Sequence, residues 1–309
     1  MGDLKNEVAW SISRALAFAR CDRELYWKAF GHWNGWNRDK APPFAWDAYH
    51  LGKMKNLPML VGELVHHAIE DVLKARQMGW PVPNAETGKK KLRDRLRQTW
   101  KESKAREWEK SPRKYGHLAE IYYGQEPSKE NCEMWRDRAF AAIDQFHALP
   151  LTRTLLESPR ESFKAIEAQF KFQCGEWPIN GKIDLAWEHE GRLHLIDWKT
   201  GAQDEDVDYQ LSVYALYAMD AFQVPLEKIR AYAVYLRDGS VGESCVTEES
   251  LSRVREVIGR YFSTVAPRVT AGEELVANME LFAMAEDWAK CERCFYRELC
   301  GRVEGPPKS

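Results

Sequence analysis

Two strand-like segments joined by a tight turn constrain the fold of this chain more than any other feature. Residues 181–188 and 193–199 are rich in apolar and β-branched side chains, and Glu190-Gly191 lies between them. A glycine at the second turn position supplies the positive φ that two-residue hairpins favour. The spacing therefore predicts an antiparallel hairpin in which His189 faces Arg192 and the numbers of paired residues add up to 381.

This register places two acidic side chains opposite each other. Asp184 faces Asp197, and like charges across a strand pair destabilise a sheet unless a cation lies between them. Lys199 follows Asp197 by two residues and therefore projects from the same face. Apolar neighbours such as Leu185 and Ile196 place the hairpin in the core, where unpaired carboxylates are costly. We therefore expect a site for Mg²⁺ or Mn²⁺ rather than a surface hairpin with scattered charges.

The order of the predicted elements is that of a mixed α/β protein. Hydrophobic periodicity and turn residues predict helices over 8–30, from Gly62 to Gly79, from about Asp204 to Phe222 and near 248–268, and further strands over 165–174, 229–237 and 241–246. Between them, residues 81–160 form charged helical segments that prolines and glycines interrupt. Cys174 and Cys245 fall in predicted strands and are expected to be buried.

Composition and charge limit the class of protein and of partner. Hydrophobic residues make up 44% of the chain and charged residues 30%, as in globular proteins. No apolar run approaches the roughly 20 residues that span a bilayer, so we expect a cytoplasmic protein without membrane contact. A net charge of −2 excludes wholesale coating of an acidic polymer.

One local region is strongly basic. Residues 89–114 carry twelve Lys or Arg against four acidic residues, and Leu92, Leu96 and Trp100 form an apolar stripe at helical spacing. The pattern is typical of a solvated helix face and also of a helix that binds DNA. Any contact with nucleic acid has to come from a region of this kind.

Motifs in and around the hairpin resemble those of the PD-(D/E)XK nuclease superfamily, and more closely its RecB-type branch. GKIDLAW and LIDWKTG resemble the G-x-x-D and D-x-K motifs, GELVHHAIE resembles the G-x-x-x-H-x-x-x-E helix, and YQLSVYALY resembles the Q-x-x-x-Y motif. The resemblance implies a restriction-endonuclease-like core of a helix, a three-stranded meander, a helix and a strand. It implies metal ligation by His66, Asp184, Asp197 and the backbone carbonyl of Trp198, and catalytic roles for Asp184, Asp197, Lys199, Gln210 and Tyr214. His67 is the alternative ligand if the helix starts differently.

The cysteines carry a second resemblance. Cys291-x-x-Cys294 and Cys300, with Cys21 in CDRELYW, resemble the iron–sulfur staple of CRISPR-associated exonucleases and helicase-linked AddB nucleases. Four thiolates bind either a [4Fe–4S] cluster or a tetrahedral zinc, and one remote cysteine with three clustered ones fits the iron–sulfur staple better. We expect a structural cluster, because it would close a loop of about 270 residues.

The resemblance implies four regions and a function. The regions are N-terminal helices with the first cluster cysteine (1–80), a helical insertion that the resemblance does not clearly cover (81–160), a catalytic α/β core (161–270) and an iron–sulfur segment (271–309). We expect an exonuclease that acts on DNA ends or single strands in CRISPR-like defence or in recombination and repair. The chain has no G-x-x-x-x-G-K-[ST] string, so any helicase would be a separate partner. A non-catalytic DNA-binding or assembly module and an RNA-processing nuclease stay open as alternatives.

Overall fold

A five-stranded sheet forms the centre of the protein. The computed structural model describes residues 6–39, 41–201, 207–272 and 275–303. The strands are β1 (Phe163–Cys174), β2 (Trp177–His189), β3 (Arg192–Lys199), β4 (Ile229–Tyr235) and β5 (Val241–Ser244), and they follow one another in this order across the sheet. Only β3 and β4 pair in parallel; the other neighbours are antiparallel. The prediction of a mixed α/β fold with a three-stranded meander is confirmed.

The hairpin of β2 and β3 has the predicted register. His189 pairs with Arg192, and pairs that add up to 381 continue as far as Leu185 and Ile196. Glu190-Gly191 forms the turn, with φ values of 50° and 71°, the left-handed conformation that a primed two-residue turn requires. Leu185 and Ile196 are buried, as predicted. The residues next along the ladder are Asp184 and Asp197.

The N-terminal helices differ from the predicted ones at two points. The expected helix over 8–30 is interrupted at Cys21, whose extended backbone separates α1 (Ile12–Arg20) from α2 (Asp22–Tyr26), which continues into a π-helical turn. After α3 (Pro43–Leu51), α4 (Leu57–Met78) begins before Gly62, the predicted start. The Asn56 side chain accepts a hydrogen bond from the third residue of α4, and Pro58 lies in its first turn, both typical of a helix start.

Helices cover both faces of the sheet. On one face lie α4, α5 (Ala85–Lys104) and α7 (Lys129–Ala148). Buried side chains from each of them, such as Val65, Leu92 and Phe146, belong to one hydrophobic cluster with side chains of the strands. The short helices α6 (Ala119–Tyr122) and α8 (Pro150–Glu157) flank α7. The Phe146 and Trp198 rings, 5.4 Å apart, exemplify this packing of the 81–160 region on the sheet.

The second face is covered by α9 (Val207–Phe222) and α10 (Glu248–Val265), which pack on side chains such as Ile183 and Leu195. The predicted start of α9 at Asp204 lies outside the described residues, whereas its predicted end at Phe222 is confirmed. Cys174 is buried, as expected. The same expectation for Cys245 is wrong, because β5 ends at Ser244 on the edge of the sheet and leaves the cysteine exposed.

The C-terminal segment returns to the N-terminal helices. It contains a two-stranded sheet, β6 (Val269–Thr270) with β7 (Val276–Ala277), and the short helix α11 (Ala289–Glu292). The Arg23 N–H donates to the carbonyl of Ala283, and Arg23 Nε donates to the carbonyl of Phe282, at 3.0 and 2.7 Å. Asp22 forms an ion pair with Arg268. In the described part of the chain, no helix combines the length and the apolarity of a membrane span.

Candidate active site

Two buried carboxylates lie at the ends of the hairpin ladder. Asp184 on β2 is 7% exposed and Asp197 on β3 is 2% exposed. The N–H of Trp198 donates to Asp184 Oδ2 at 2.9 Å, which fixes this carboxylate beside β3. Burial raises the pKa of Asp184 to about 7, with a further contribution from the charge of Asp197. Burial also raises the pKa of Asp197, and the ammonium of Lys199 opposes this shift.

Helix α4 brings His66 to the same point. His66 Nδ1 lies 2.9 Å from Glu167 Oε1 and 3.6 Å from Asp184 Oδ2. One ligand atom from each of these three residues lies within 4.8 Å of the other two, and the described residues contain no second group of this kind. The alternative ligand His67 lies elsewhere, half-exposed and 4.0 Å from Glu63.

Glu167 is the site residue that the sequence reasoning missed. The alternating pattern of β1 placed it with the polar, solvent-facing residues, but it is 8% exposed and has a φ of 46°, which is unusual for a residue other than glycine. Ile166 pairs with Leu185 and Ala168 pairs with Ile183, so Glu167 lies at the level of Asp184. The register of β1 against β2 shifts between Phe163 and Ala165, and the apolar residues of the sequence change phase just after this shift, between Ala165 and Ile166. This change of phase is the sequence signal nearest to Glu167.

A glycine permits the close approach of α4 to the sheet. A Cβ atom built on Gly62 would lie 3.3 Å from the Thr200 hydroxyl, just beyond the end of β3. His66 follows Gly62 by four residues and therefore projects from nearly the same side of the helix, one turn further on. The glycine of the G-x-x-x-H motif thus has a physical role: it lets the helix contact the sheet closely enough for His66 to reach the carboxylates.

Lys199 is held by a hydrogen-bonded network that extends to α9. Its Nζ atom lies 2.8 Å from Asp197 Oδ2 and donates to Gln210 Oε1, also at 2.8 Å. Gln210 Nε2 donates to Asp197 Oδ1 at 2.6 Å and contacts the Tyr214 hydroxyl at 2.8 Å. The Tyr214 hydroxyl in turn donates to Asp197 Oδ1 at 3.4 Å. The structure therefore brings together the lysine, the second aspartate and both residues of the Q-x-x-x-Y motif.

Charges in the site are balanced one for one. Three carboxylates, those of Glu167, Asp184 and Asp197, lie beside the cations Lys182, Lys199 and His66. Burial alone would lower the pKa of His66, but its hydrogen bond to Glu167 and the neighbouring carboxylates raise it to about 9. Burial opposes ionisation of Glu167, but its bonds to His66 and Lys182 hold its pKa below the usual value.

The predicted cluster cysteines share a second location. Cys21, Cys291, Cys294 and Cys300 all line one small cavity between α2 and the C-terminal segment. The N–H of Ala285 donates to Cys21 Sγ at 3.3 Å, and the indole N–H of Trp27 donates to Cys300 Sγ at 3.4 Å. Burial raises the pKa of Cys294 to about 12, and the charges of Glu24, Cys300 and Cys21 add to the shift.

The comparisons with known proteins agree with the geometry. A sequence model of the PD-(D/E)XK nuclease superfamily matches residues 9–301. The chain is also similar to the Gene 69 protein of Mycobacterium phage L5, with 30% identity over 109 residues, which are 35% of this chain and 37% of that protein. It is 27% identical to the Gene 69 protein of Mycobacterium phage D29 over 136 residues, 44% of this chain and 47% of that protein. The chain thus spans less than half the length of either relative. Because the family match covers the sheet, α4 and α9 together, the chain belongs to the PD-(D/E)XK nuclease superfamily.

Proposed function

We propose that this chain is a metal-dependent DNA nuclease whose cation is held by His66, Glu167 and Asp184. The observation that carries the proposal is the approach of three ligand atoms to within 4.8 Å of one another beside a fixed lysine. Carboxylate oxygens with an imidazole nitrogen suit Mn²⁺, and the carboxylates alone suit Mg²⁺. Burial raises the pKa of Asp184, and a divalent cation beside this carboxylate would favour its ionised form.

The two other ligands implied by the family motifs have different surroundings. The carboxylate of Asp197 forms an ion pair with Lys199 and accepts a hydrogen bond from Gln210. In this arrangement, we propose, Asp197 positions the lysine. Trp198 reaches the cluster through its N–H, which Asp184 accepts. We propose ligation by Asp197 and by the Trp198 carbonyl as later contacts of the loaded site, after Lys199 has turned towards substrate.

The residues of the chain divide the work of phosphodiester hydrolysis. A bound divalent cation lowers the pKa of water and stabilises negative charge on the phosphate. Lys199, with its Nζ atom held by Asp197 and Gln210, orients the attacking water and stabilises the charge that develops on the phosphate oxygens. Tyr214 and Gln210 keep Asp197 in place. His66 would hold the cation as a neutral ligand and would therefore give up its proton on binding.

We further propose that the enzyme is an exonuclease on DNA ends or single strands. The given sequence contains no G-x-x-x-x-G-K-[ST] string, and a helicase that supplies single strands is a proposed partner. Defence and recombination or repair both fit such an enzyme.

The four cysteines are proposed ligands of a [4Fe–4S] cluster. They line one cavity, and N–H groups of Ala285 and Trp27 donate to two of the sulfurs, as is typical of iron–sulfur thiolates. Such a cluster would join α2 to the C-terminal segment. Protein purified without oxygen should be brown, absorb near 400 nm and contain iron and acid-labile sulfide; zinc without sulfide would assign the site to zinc instead.

Cleavage of end-labelled DNA tests the nuclease. Wild-type protein with Mn²⁺ should shorten single-stranded DNA, or duplex DNA with a free end, whereas a Lys199→Ala variant should leave it intact. A closed circular single strand separates an exonuclease from an endonuclease, and a labelled RNA of the same sequence tests the RNA-processing alternative. If wild type and variant leave every substrate equally intact, the protein is a non-catalytic binding or assembly module.

A further inference from the structure

The basic helix α5 lines a cavity that the catalytic site does not use. The cavity has a volume of about 530 Å³ and lies between α5 and α7, next to the start of α4. Its apolar lining comes from Leu57 and Leu60 of α4, Leu96 and Trp100 of α5, and Leu118. Trp100 is half-buried and lines the cavity, and the Lys104 ammonium lies 5.6 Å from the centroid of its ring, over one face. An apolar surface of this kind takes a flat or hydrophobic group.

Three cations form a row along the edge of the cavity. Arg93, Arg97 and Lys101 follow one another at intervals of four residues on α5, line the cavity and are exposed. Four residues correspond to a rise of about 6 Å, so the row is about 12 Å long. Within residues 6–39, 41–201, 207–272 and 275–303, none of the three forms an ion pair. In contrast, two other cations of α5 form ion pairs: Lys91 with Asp71 of α4, and Arg95 with Glu102 of α5.

The acidic residues of the cavity do not neutralise this row. Glu126 pairs with Lys104 at 2.6 Å, and Glu133 lies 4.0 Å from Lys129. The remaining cation, Arg136, pairs with Asp137. The cavity therefore combines an aromatic and aliphatic floor with three cations whose charge no described carboxylate balances.

We propose that this cavity is a holding site for single-stranded DNA, in which a base stacks on Trp100 and successive phosphates contact Arg93, Arg97 and Lys101. The inference rests on the proposed nuclease function and adds a second contact region for the same substrate. Sites for single strands pair a stacking aromatic side chain with a row of cations that follows the backbone. The cations are about 6 Å apart, a spacing that the phosphates of an extended strand can match.

Helix α4 connects this holding site with the catalytic cluster. Leu60 lines the cavity, and His66 lies six residues further along the same helix, about 9 Å along its axis. Six residues also leave the helix about 120° short of two full turns, so a strand held by α5 would pass around α4 to reach the catalytic carboxylates. The arrangement retains one part of the strand while another part is cleaved.

Binding without catalysis tests the inference. The affinity of wild-type protein for a labelled oligothymidylate of about 20 nucleotides is measured by fluorescence anisotropy in EDTA, between about 50 and 200 mM NaCl. Arg97→Gln with Lys101→Gln should weaken binding about tenfold or more at the lower salt concentration and reduce the slope of log K against log salt by about 1.4. A control with Arg153→Gln and Arg260→Gln, exposed residues on other helices and outside the cavity, should change the affinity less than twofold.

A second variant tests the stacking contact. Trp100→Leu should weaken binding about tenfold without a change in the salt slope, because it removes a stacking surface and no charge. Its thermal midpoint is measured beside its affinity, because Trp100 also packs on the core. The exposed arginine and lysine variants do not carry this complication.

Each result either supports the holding site or overturns it. Equal affinities of the Arg97/Lys101 variant and the Arg153/Arg260 control would overturn it. A labelled decaglutamate peptide provides a second test. If the Arg97/Lys101 variant loses binding of this peptide but binds oligothymidylate as well as wild type does, the holding site is also overturned. The cavity would then be a binding site for an acidic protein segment. Since binding is measured without metal, a protein that cleaves DNA but fails this test loses only the holding site. A protein that passes it without cleaving DNA loses only the nuclease.

Discussion

Neutralising Asp184 should make the metal-free protein more stable. The side chain is buried, and burial with the nearby charge of Asp197 raises its pKa from 3.8 to about 7. An ionised carboxylate in this position therefore costs folding free energy. Asp184→Asn removes the charge and keeps the shape, and the amide oxygen still accepts the hydrogen bond from the Trp198 N–H. The site is built for a cation at the expense of stability, as functional sites often are.

The size and pH dependence of the gain follow from the same shift. A carboxyl pKa that is higher in the folded state costs nothing below about 3.8, and the cost grows as the pH rises and is complete above about 7. A shift from 3.8 to about 7 corresponds to about 4 kcal/mol as a ceiling. The charge of His66 opposes this shift and is already included in it, and the realised gain stays below the ceiling because the surroundings of a buried charge adjust to it. We expect a net gain of about 2 kcal/mol at pH 8, or about 4 °C in the thermal midpoint.

Thermal unfolding of wild type and variant in EDTA, from pH 4 to pH 8, measures this gain. The exposed Asp94 provides the control, because Asp94→Asn removes the same charge without changing a buried site. Addition of Mn²⁺ should then stabilise wild type and leave Asp184→Asn unchanged, which reverses their order. A variant that is less stable than wild type at pH 8 would refute the reasoning. A gain that is as large at pH 4 as at pH 8 would also refute it.

Three further predictions concern the cation and the lysine. Glu167→Gln should weaken Mn²⁺ binding about 10- to 100-fold in calorimetry, because it removes the charge of a ligand group, and unchanged affinity would remove Glu167 from the site. Lys199→Ala should lower the cleavage rate about 100-fold or more while Mn²⁺ affinity stays within about threefold, so a parallel loss of both would make the lysine a structural residue. At pH 7.5, Mn²⁺ binding should release about one proton from His66, whose pKa is about 9, and a binding heat that is the same in two buffers of different ionisation enthalpy would contradict this.

The hairpin was predictable because its determinants are local. Glu190-Gly191 sets the turn, alternation sets which side chains are buried, and the register then follows pair by pair to Leu185 and Ile196. Asp184 and Asp197 come next along that register. The start of α4 could also have been predicted, because Asn56 and Pro58 are residues typical of a helix start. The predicted start at Gly62 did not take these two residues into account.

Glu167 and the packing of residues 81–160 were harder to predict because they depend on contacts between distant segments. The inward turn of Glu167 requires a positive φ, which its partners His66 and Lys182 stabilise from two other elements. Local alternation carries no information about either partner. The prediction that Cys245 is buried was wrong for a local reason. Its strand β5 exists but ends at Ser244, one residue before the cysteine, at the exposed edge of the sheet.

The contacts between α2 and the C-terminal segment govern when the molecule can finish folding on the ribosome. Arg23 depends on the carbonyls of Phe282 and Ala283, which are synthesised about 260 residues later. During translation these two contacts can therefore form only after residues 282 and 283 have emerged from the ribosome. A polypeptide released before residue 282 would contain Glu167, Asp184 and Asp197 but not the partners of Arg23. Because α2 would lack these hydrogen bonds, quality-control proteases would treat the polypeptide as incompletely folded.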